Sequence, residues 1–205
     1  MELRDALTQI SEIREQMARA EVFRGYRSVT VAFSGVVAFV AAGLQPLVAP
    51  HPEGRVQPYL ILWLSAALVS AVAVGVEMII RGRRSGLQAR VTLLAVELFL
   101  PCLVAGAMLT WMLMRYAEGS LWMLPGLWAI LFSLGAHASC RLLPRPLFWA
   151  ACFYMLAGCL CLAFAQREWA FSPWAMGLTF GCGQLITAVI LYWTLERSHG
   201  RAYDK

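Results

Sequence analysis

The sequence predicts an all-α integral membrane protein, a bundle of six transmembrane helices with both termini in the cytoplasm and an amphipathic cytoplasmic helix at the N-terminus. Hydrophobic residues make up 60% of the 205 residues and charged residues 14%, whereas soluble domains are about half apolar and about a quarter charged. The apolar residues are gathered in long blocks, and basic residues separate these blocks. Such blocks are typical of membrane spans.

Residues 1–27 are predicted to form a cytoplasmic helix followed by a linker. Apolar side chains recur at alternating spacings of three and four residues, which places them on one helical stripe: Leu3, Ala6, Ile10, Ile13, Met17 and Ala20. Acidic and basic side chains balance along this segment, whereas helices that lie on membrane surfaces are richer in basic residues. The pattern over residues 1–24 favours helix-on-helix contact, with the bundle itself, with a second copy or with a partner protein.

Six apolar blocks follow and define a membrane domain over residues 28–195, with residues 196–205 left as a cytoplasmic tail. The predicted spans cover residues 28–48, 58–80, 91–114, 121–139, 147–165 and 174–195. Each has about 19 to 24 residues, which is enough to cross about 30 Å of hydrocarbon at about 1.5 Å per residue. The short connections predict that spans adjacent in sequence are antiparallel neighbours.

Basic residues predict the orientation. The N-terminal segment, the second and fourth connections and the C-terminal tail carry 14 of the 17 Lys and Arg residues. This asymmetry follows the positive-inside rule and places both termini in the cytoplasm, in a membrane that we predict to be the bacterial inner membrane. The net charge of +5 therefore reflects topology and contact with the lipid bilayer, and we predict no nucleic-acid partner.

Small residues predict close contact between helices. Ser34, Ala38 and Ala42 are spaced four residues apart in the first span, a pattern that lets backbones approach. The face that they form predicts either contact within the subunit or a homo-oligomer or membrane partner. The six cysteines lie in or at the ends of spans, so we expect them to be small polarizable residues of the interior and not disulfides.

The most unusual position is Glu97, a carboxylate inside the third apolar block. Pro101 follows four residues later and lacks the N–H that would bond the Glu97 carbonyl. A charge at the centre of a membrane helix costs about 2.5–3.5 kcal/mol on insertion scales. We therefore expect the helix to bend near Pro101 and to turn Glu97 inward, away from lipid.

Three further polar residues are candidates for a ligand or proton site: Glu77, His137 and Gln184. Arg81 is a possible charge partner of Glu77, and Arg90 a possible partner of Glu97. If Glu77, Glu97 and His137 met, two carboxylates and an imidazole could bind a divalent metal or relay a proton. No motif identifies a metal, a cofactor or a catalytic residue.

Three functions fit this sequence. The first is a small-molecule binding or transport-related bundle, alone or as a subunit of a larger membrane complex. The second is a membrane regulator or scaffold that acts through the N-terminal helix. The third, an intramembrane enzyme using Glu77, Glu97 and His137, has the least support, because the sequence lacks both a phosphate-binding loop and a Gly-x-Ser-x-Gly elbow.

Overall fold

A computed structural model describes residues 28–82, 86–140, 144–164 and 169–196, with the side chains of residues 81–93, 95, 195 and 196 outside this description. Within these ranges the chain is entirely helical, apart from short turns. Six of its helices are long and apolar enough to cross a membrane. The chain thus has the architecture of a multi-pass membrane protein, as the sequence predicts.

The six helices agree closely with the predicted spans. They are α1 (Ser28–Val48), α2 (Val56–Gly82), α3 (Gly86–Tyr116), α4 (Leu124–Ser139), α5 (Leu147–Phe164) and α6 (Pro173–Leu191). A 3₁₀ helix, Glu118–Met123, precedes α4, and a π-helical turn, Tyr192–Glu196, extends α6. The predicted amphipathic helix over residues 1–24, the linker to residue 27 and the tail from residue 197 lie outside the described residues, and the cytoplasmic location of the termini stays a prediction.

The helices form a ring in which each one contacts the next and α6 returns to α1. Neighbours are antiparallel, as shown by the Trp63 indole reaching Gln45 from α2 to α1 and by Phe99 of α3 packing against Phe132 of α4. We call the end of the bundle that holds Ser28 and Leu191 the near end. The opposite end, with residues 49–55, the 3₁₀ helix and residues 169–172, is the far end.

The largest interface between helices joins α1 to α6. A Cβ added at Gly177 would lie 2.7 Å from the Ala42 Cβ, and one added at Gly181 would collide with the Phe39 ring. Ser34, Ala38 and Ala42 are consequently buried within the subunit. Contact within the subunit accounts for this face, and contact with a second copy or a membrane partner stays a prediction.

Helices α4 and α5 approach each other through a pair of glycines. A Cβ added at Gly126 would lie 2.8 Å from the Gly158 carbonyl oxygen, and one added at Gly158 would lie 2.8 Å from the Gly126 carbonyl oxygen. Backbone atoms cannot move aside as a side-chain end can, so this contact requires glycine on both helices.

Helices α2 and α3 are much less buried. In the most apolar stretch of α3 only 6% of residues are buried, against 39% in each of α1, α4 and α6. Among the described residues, no atom lies within 4 Å of a Cβ added at Gly75 of α2. The outer surfaces of α2 and α3 are left to lipid or to another protein.

Candidate functional site

Glu97 does not face the interior. The inward face of α3 is marked by Phe99, whose ring lies against Gly135 and 5.0 Å from the Phe132 ring of α4. Glu97 precedes Phe99 by two residues, about 200° around the helix, and its side chain is exposed. The expectation that Glu97 turns inward is therefore wrong. Helix α3 runs unbroken through Pro101, which is also exposed.

Glu97 lies in the near-end half of α3. It is 11 residues after Gly86, the near-end limit of the helix, and 19 residues before Tyr116, the far-end limit. Trp174 and Trp193, 58% and 54% exposed, are separated by about 28 Å along α6 and its π-helical turn, close to the hydrocarbon thickness of about 30 Å. From the near-end half of α3 a carboxylate can extend toward water.

Glu77 lies at the near end of α2 and is half-buried. The side chains of its predicted partner Arg81 and of Arg90, the predicted partner of Glu97, lie outside the described residues. Both ion pairs stay predictions. Gln184 is half-buried on α6, where its Cβ would lie 3.3 Å from a Cβ added at Gly35 of α1. Gln184 therefore sits in the interface between α1 and α6.

His137, at the near end of α4, is the predicted site residue with the most contacts. Its Nδ1 lies 2.9 Å from the carbonyl oxygen of Ser133 one turn earlier, and its Nε2 lies 3.8 Å from the Cys152 sulfur on α5. The Phe148 ring of α5 contacts the imidazole edge-on at a centroid distance of 5.2 Å. His137 is half-buried and is held between α4 and α5.

Glu97 and His137 do not converge. Phe99 and Gly135 meet at the interface between α3 and α4, and each candidate lies two residues, or about 200°, from its own contact residue. Both side chains thus point away from the shared interface. Among the residues that the structure describes, no group of three or more His, Cys, Asp or Glu side chains is placed to hold a metal ion. The geometry gives no support to a shared site of Glu77, Glu97 and His137.

Sequence reasoning missed a polar contact that closes the far end. Gln45 of α1 is 1% exposed. Its amide nitrogen donates to the Phe171 carbonyl oxygen at 2.6 Å, and its amide oxygen accepts from the Trp63 indole at 2.9 Å. One side chain thus joins α1, α2 and the α5–α6 connection. A glutamine near the end of an apolar block was a signal for this role, but its partners are distant in sequence.

Sequence reasoning also missed two buried tyrosines. Tyr59 of α2 and Tyr154 of α5 are 0% and 1% exposed, and neither hydroxyl has a hydrogen-bond partner among the described residues. The Tyr154 ring lies 4.7 Å from the Phe132 ring and 5.7 Å from the Phe180 ring, and the Tyr59 ring lies 5.1 Å from the Phe171 ring. Buried hydroxyls are normally hydrogen-bonded, so each needs an explanation.

The surroundings of the two hydroxyls contain few polar groups. Two half-buried thiols, Cys161 of α5 and Cys182 of α6, are among the polar groups of these helices. Cys161 in turn lies 3.9 Å from the Thr179 hydroxyl of α6, which donates to the Ala175 carbonyl oxygen at 2.6 Å. The interior of the bundle thus combines aromatic rings with a few hydroxyl and thiol groups.

Fold and site together define an all-helical multi-pass membrane protein with a largely apolar interior. Comparison with protein-family models gives no match, and neither curated proteins nor solved structures give one.

Proposed function

We propose that the protein is a small-molecule-binding, transport-related bundle whose ligand contacts the interior hydroxyls of Tyr59 and Tyr154. The two unpaired hydroxyls carry this proposal. A buried donor without an acceptor costs about 1–3 kcal/mol, and a ligand that supplies the acceptor removes that cost. The intramembrane acid, by contrast, gives little support, because Glu97 is exposed.

The chemistry around the hydroxyls indicates the kind of ligand. Ligand sites in proteins are mostly apolar and aromatic, with a few polar groups that fix orientation. Tyr154 lies among phenylalanine rings of α4 and α6, and Tyr59 lies between Trp63 and Phe171. The best match is a small, largely apolar molecule with at least one hydrogen-bond acceptor.

Whether removal of the two tyrosine hydroxyls stabilises or destabilises the protein tests this proposal. Tyr154→Phe and Tyr59→Phe remove the hydroxyls and keep the rings. If the hydroxyls are unpaired in the purified protein, each variant should be more stable than the wild type by about 1–3 kcal/mol. If a ligand is bound, the variants should be less stable, and native mass spectrometry of the wild type should show an additional mass that the variants lack.

Tyr116→Phe is the matched control, because Tyr116 is 71% exposed and its hydroxyl can reach water. Its stability should equal that of the wild type, and native mass spectrometry should show the same additional mass over the bare chain as in the wild type. Variants at Tyr59 and Tyr154 that are both stabilised, together with a wild-type mass equal to that of the bare chain, would contradict the proposal.

A second candidate function is that of a subunit in a larger membrane assembly, and the exposure of α3 favours it. Met108→Trp places a large ring on α3 at a position that is 62% exposed, and Leu156→Trp does the same on α5 at 61%. Lipid tolerates both changes, whereas a partner on α3 does not tolerate the first. If α3 is an interface, native electrophoresis of solubilised membranes should show a smaller assembly for Met108→Trp alone.

The regulator alternative rests on residues 1–24, which lie outside the described residues, and it stays a prediction. Deletion of residues 1–20 tests it. If the protein acts through its N-terminal helix, this deletion should abolish its activity as a regulator or scaffold. Tyr154→Phe should leave that activity intact.

A further inference from the structure

The Cys152 thiol lies next to the His137 imidazole, which can act as its general base. The Cys152 sulfur lies 3.8 Å from His137 Nε2, within the range of a long S–H···N hydrogen bond. The imidazole is fixed by its bond to the Ser133 carbonyl and by the edge-on Phe148 ring. A nucleophile next to a base that a third group orients is the general pattern of covalent catalysis.

The hydrogen bonds define the tautomer of His137. A carbonyl oxygen only accepts, so Nδ1, which lies 2.9 Å from the Ser133 carbonyl oxygen, must carry the proton in the neutral ring. Nε2 then has a free lone pair directed at Cys152. The Ser133 hydroxyl donates to the Ala151 carbonyl oxygen at 2.7 Å, which further ties this turn of α4 to α5.

The position of Cys152 determines which reagents can reach it. Cys152 is half-buried and lies three residues after Trp149, which is 71% exposed. The thiol is therefore about 4–5 Å farther along α5 from the near end than Trp149. Amphiphiles with a reactive group near the membrane surface place that group close to this level.

A second thiol toward the near end provides a contrast. Cys140, immediately after α4, is half-buried, and burial together with the nearby Cys152 raises the pKa of its thiol. Cys140 lies three residues beyond His137 toward the near end, and no described hydrogen bond joins it to an imidazole. Of these two thiols, only Cys152 thus has a base in contact.

We propose that Cys152 is an acyl-accepting nucleophile for long-chain acyl thioesters, with His137 as its general base. The Cys152 sulfur attacks the thioester carbonyl and passes its proton to His137 Nε2. A new carbon–sulfur bond forms to Cys152 while the bond to the original thiol breaks, and His137 returns the proton to the departing thiolate. One thioester replaces another, so no oxidant or reductant is needed.

The test uses the full-length protein in lipid nanodiscs with palmitoyl-coenzyme A as the probe. Mass spectrometry of peptides should find the acyl group on Cys152 first, and hydroxylamine should release it. Cys152→Ser should abolish this label. His137→Gln keeps an amide that can bond the Ser133 carbonyl but lacks the base, and it should slow acylation by about 100-fold, the lower range of general-base effects.

Two other cysteines of the protein serve as internal references for the reactivity of Cys152. Cys140 reports the reactivity of a near-end thiol that has no described hydrogen bond to an imidazole, and Cys159, which is exposed on α5, reports simple exposure to lipid. In the native wild type, labelling of Cys152 should exceed that of Cys140 by at least tenfold, and the ratio should fall to about one after unfolding in SDS, because unfolding removes the oriented base. This ratio requires no variant and remains informative if His137→Gln misfolds.

Three results would overturn the proposal. They are equal labelling of Cys152 and Cys140 in the native protein, preferential labelling of Cys159, and an unchanged rate in a folded His137→Gln variant. The first and third would leave His137 and Cys152 as an ordinary contact between α4 and α5. The second would show that exposure alone governs reactivity.

Discussion

The α1–α6 interface and the outer surface of α3 are both apolar, yet they differ in what determines their residues. Between α1 and α6, Gly177, Gly181 and Ala42 are small because a neighbouring helix lies within contact distance. On α3, large side chains such as Met108 and Trp111 are 62% and 60% exposed. Apolar composition alone therefore does not distinguish a surface that faces protein from one that faces lipid, whereas the contacts with a neighbouring helix do.

The largest effect should come from filling the α4–α5 glycine contact. Gly158→Ala places a methyl group 2.8 Å from the Gly126 carbonyl oxygen, and overpacking of this kind costs about 1–3 kcal/mol. The matched control is Gly75→Ala on α2, where no atom of the described residues lies within 4 Å of the added Cβ and the change should be within about 0.5 kcal/mol or stabilising. SDS titration in mixed micelles measures both. Equal changes in unfolding free energy for Gly158→Ala and Gly75→Ala would contradict the expected difference in packing between the α4–α5 contact and the α2 surface.

Loss of the far-end contact should come next. Gln45→Leu leaves the Trp63 indole and the Phe171 carbonyl without their buried partner, which should cost about 1–3 kcal/mol. Gln184→Leu, on a half-buried side chain of α6, should cost less. The same titration compares them. A neutral Gln45→Leu would mean that water replaces the lost hydrogen bonds.

A smaller effect is expected where α3 meets α4. The Trp128 indole donates to the Thr110 hydroxyl at 2.9 Å, and hydrogen bonds between membrane helices average about 0.6 kcal/mol. Thr110→Val should cost about that much. Ser65→Ala on α2 removes a hydroxyl whose one described hydrogen bond goes to the Leu62 carbonyl of its own helix, so the unfolding free energy of this variant should match that of the wild type. A cost above about 2 kcal/mol for Thr110→Val would show α3 to be more firmly held than its exposure indicates.

The smallest effect should be that of Glu97→Gln. Exposed substitutions usually change stability by less than about 0.5 kcal/mol, and Glu97 is exposed. Unfolding free energies of the two proteins in nanodiscs should therefore agree. A loss of more than about 1 kcal/mol would indicate that Glu97 has a partner and that the α3 surface is not simply lipid-facing.

The spans could be predicted because apolar block length is a property of the chain alone. Helix α1 has the predicted limits, residues 28–48, and α5 ends one residue early. The direction of Glu97 could not be predicted, because α3 is apolar on all sides and its contact face depends on Phe99 meeting Gly135 of another helix. The sequence made His137 a candidate, but its contact with Cys152 could not be predicted because it depends on how α5 packs against α4. Tyr59 and Tyr154 looked like ordinary aromatic residues until their burial was known.

The joining of α1 to the last part of the chain has a consequence for biosynthesis. Gln45 bonds a carbonyl 126 residues later in the sequence, and a ribosome adds about 5–20 residues per second. The first span therefore waits on the order of 10 s for its main partner, and until then Gln45 lacks its Phe171 acceptor. A chain released before α6 is made never forms the α1–α6 interface, so the small-residue face of α1 stays uncovered by α6.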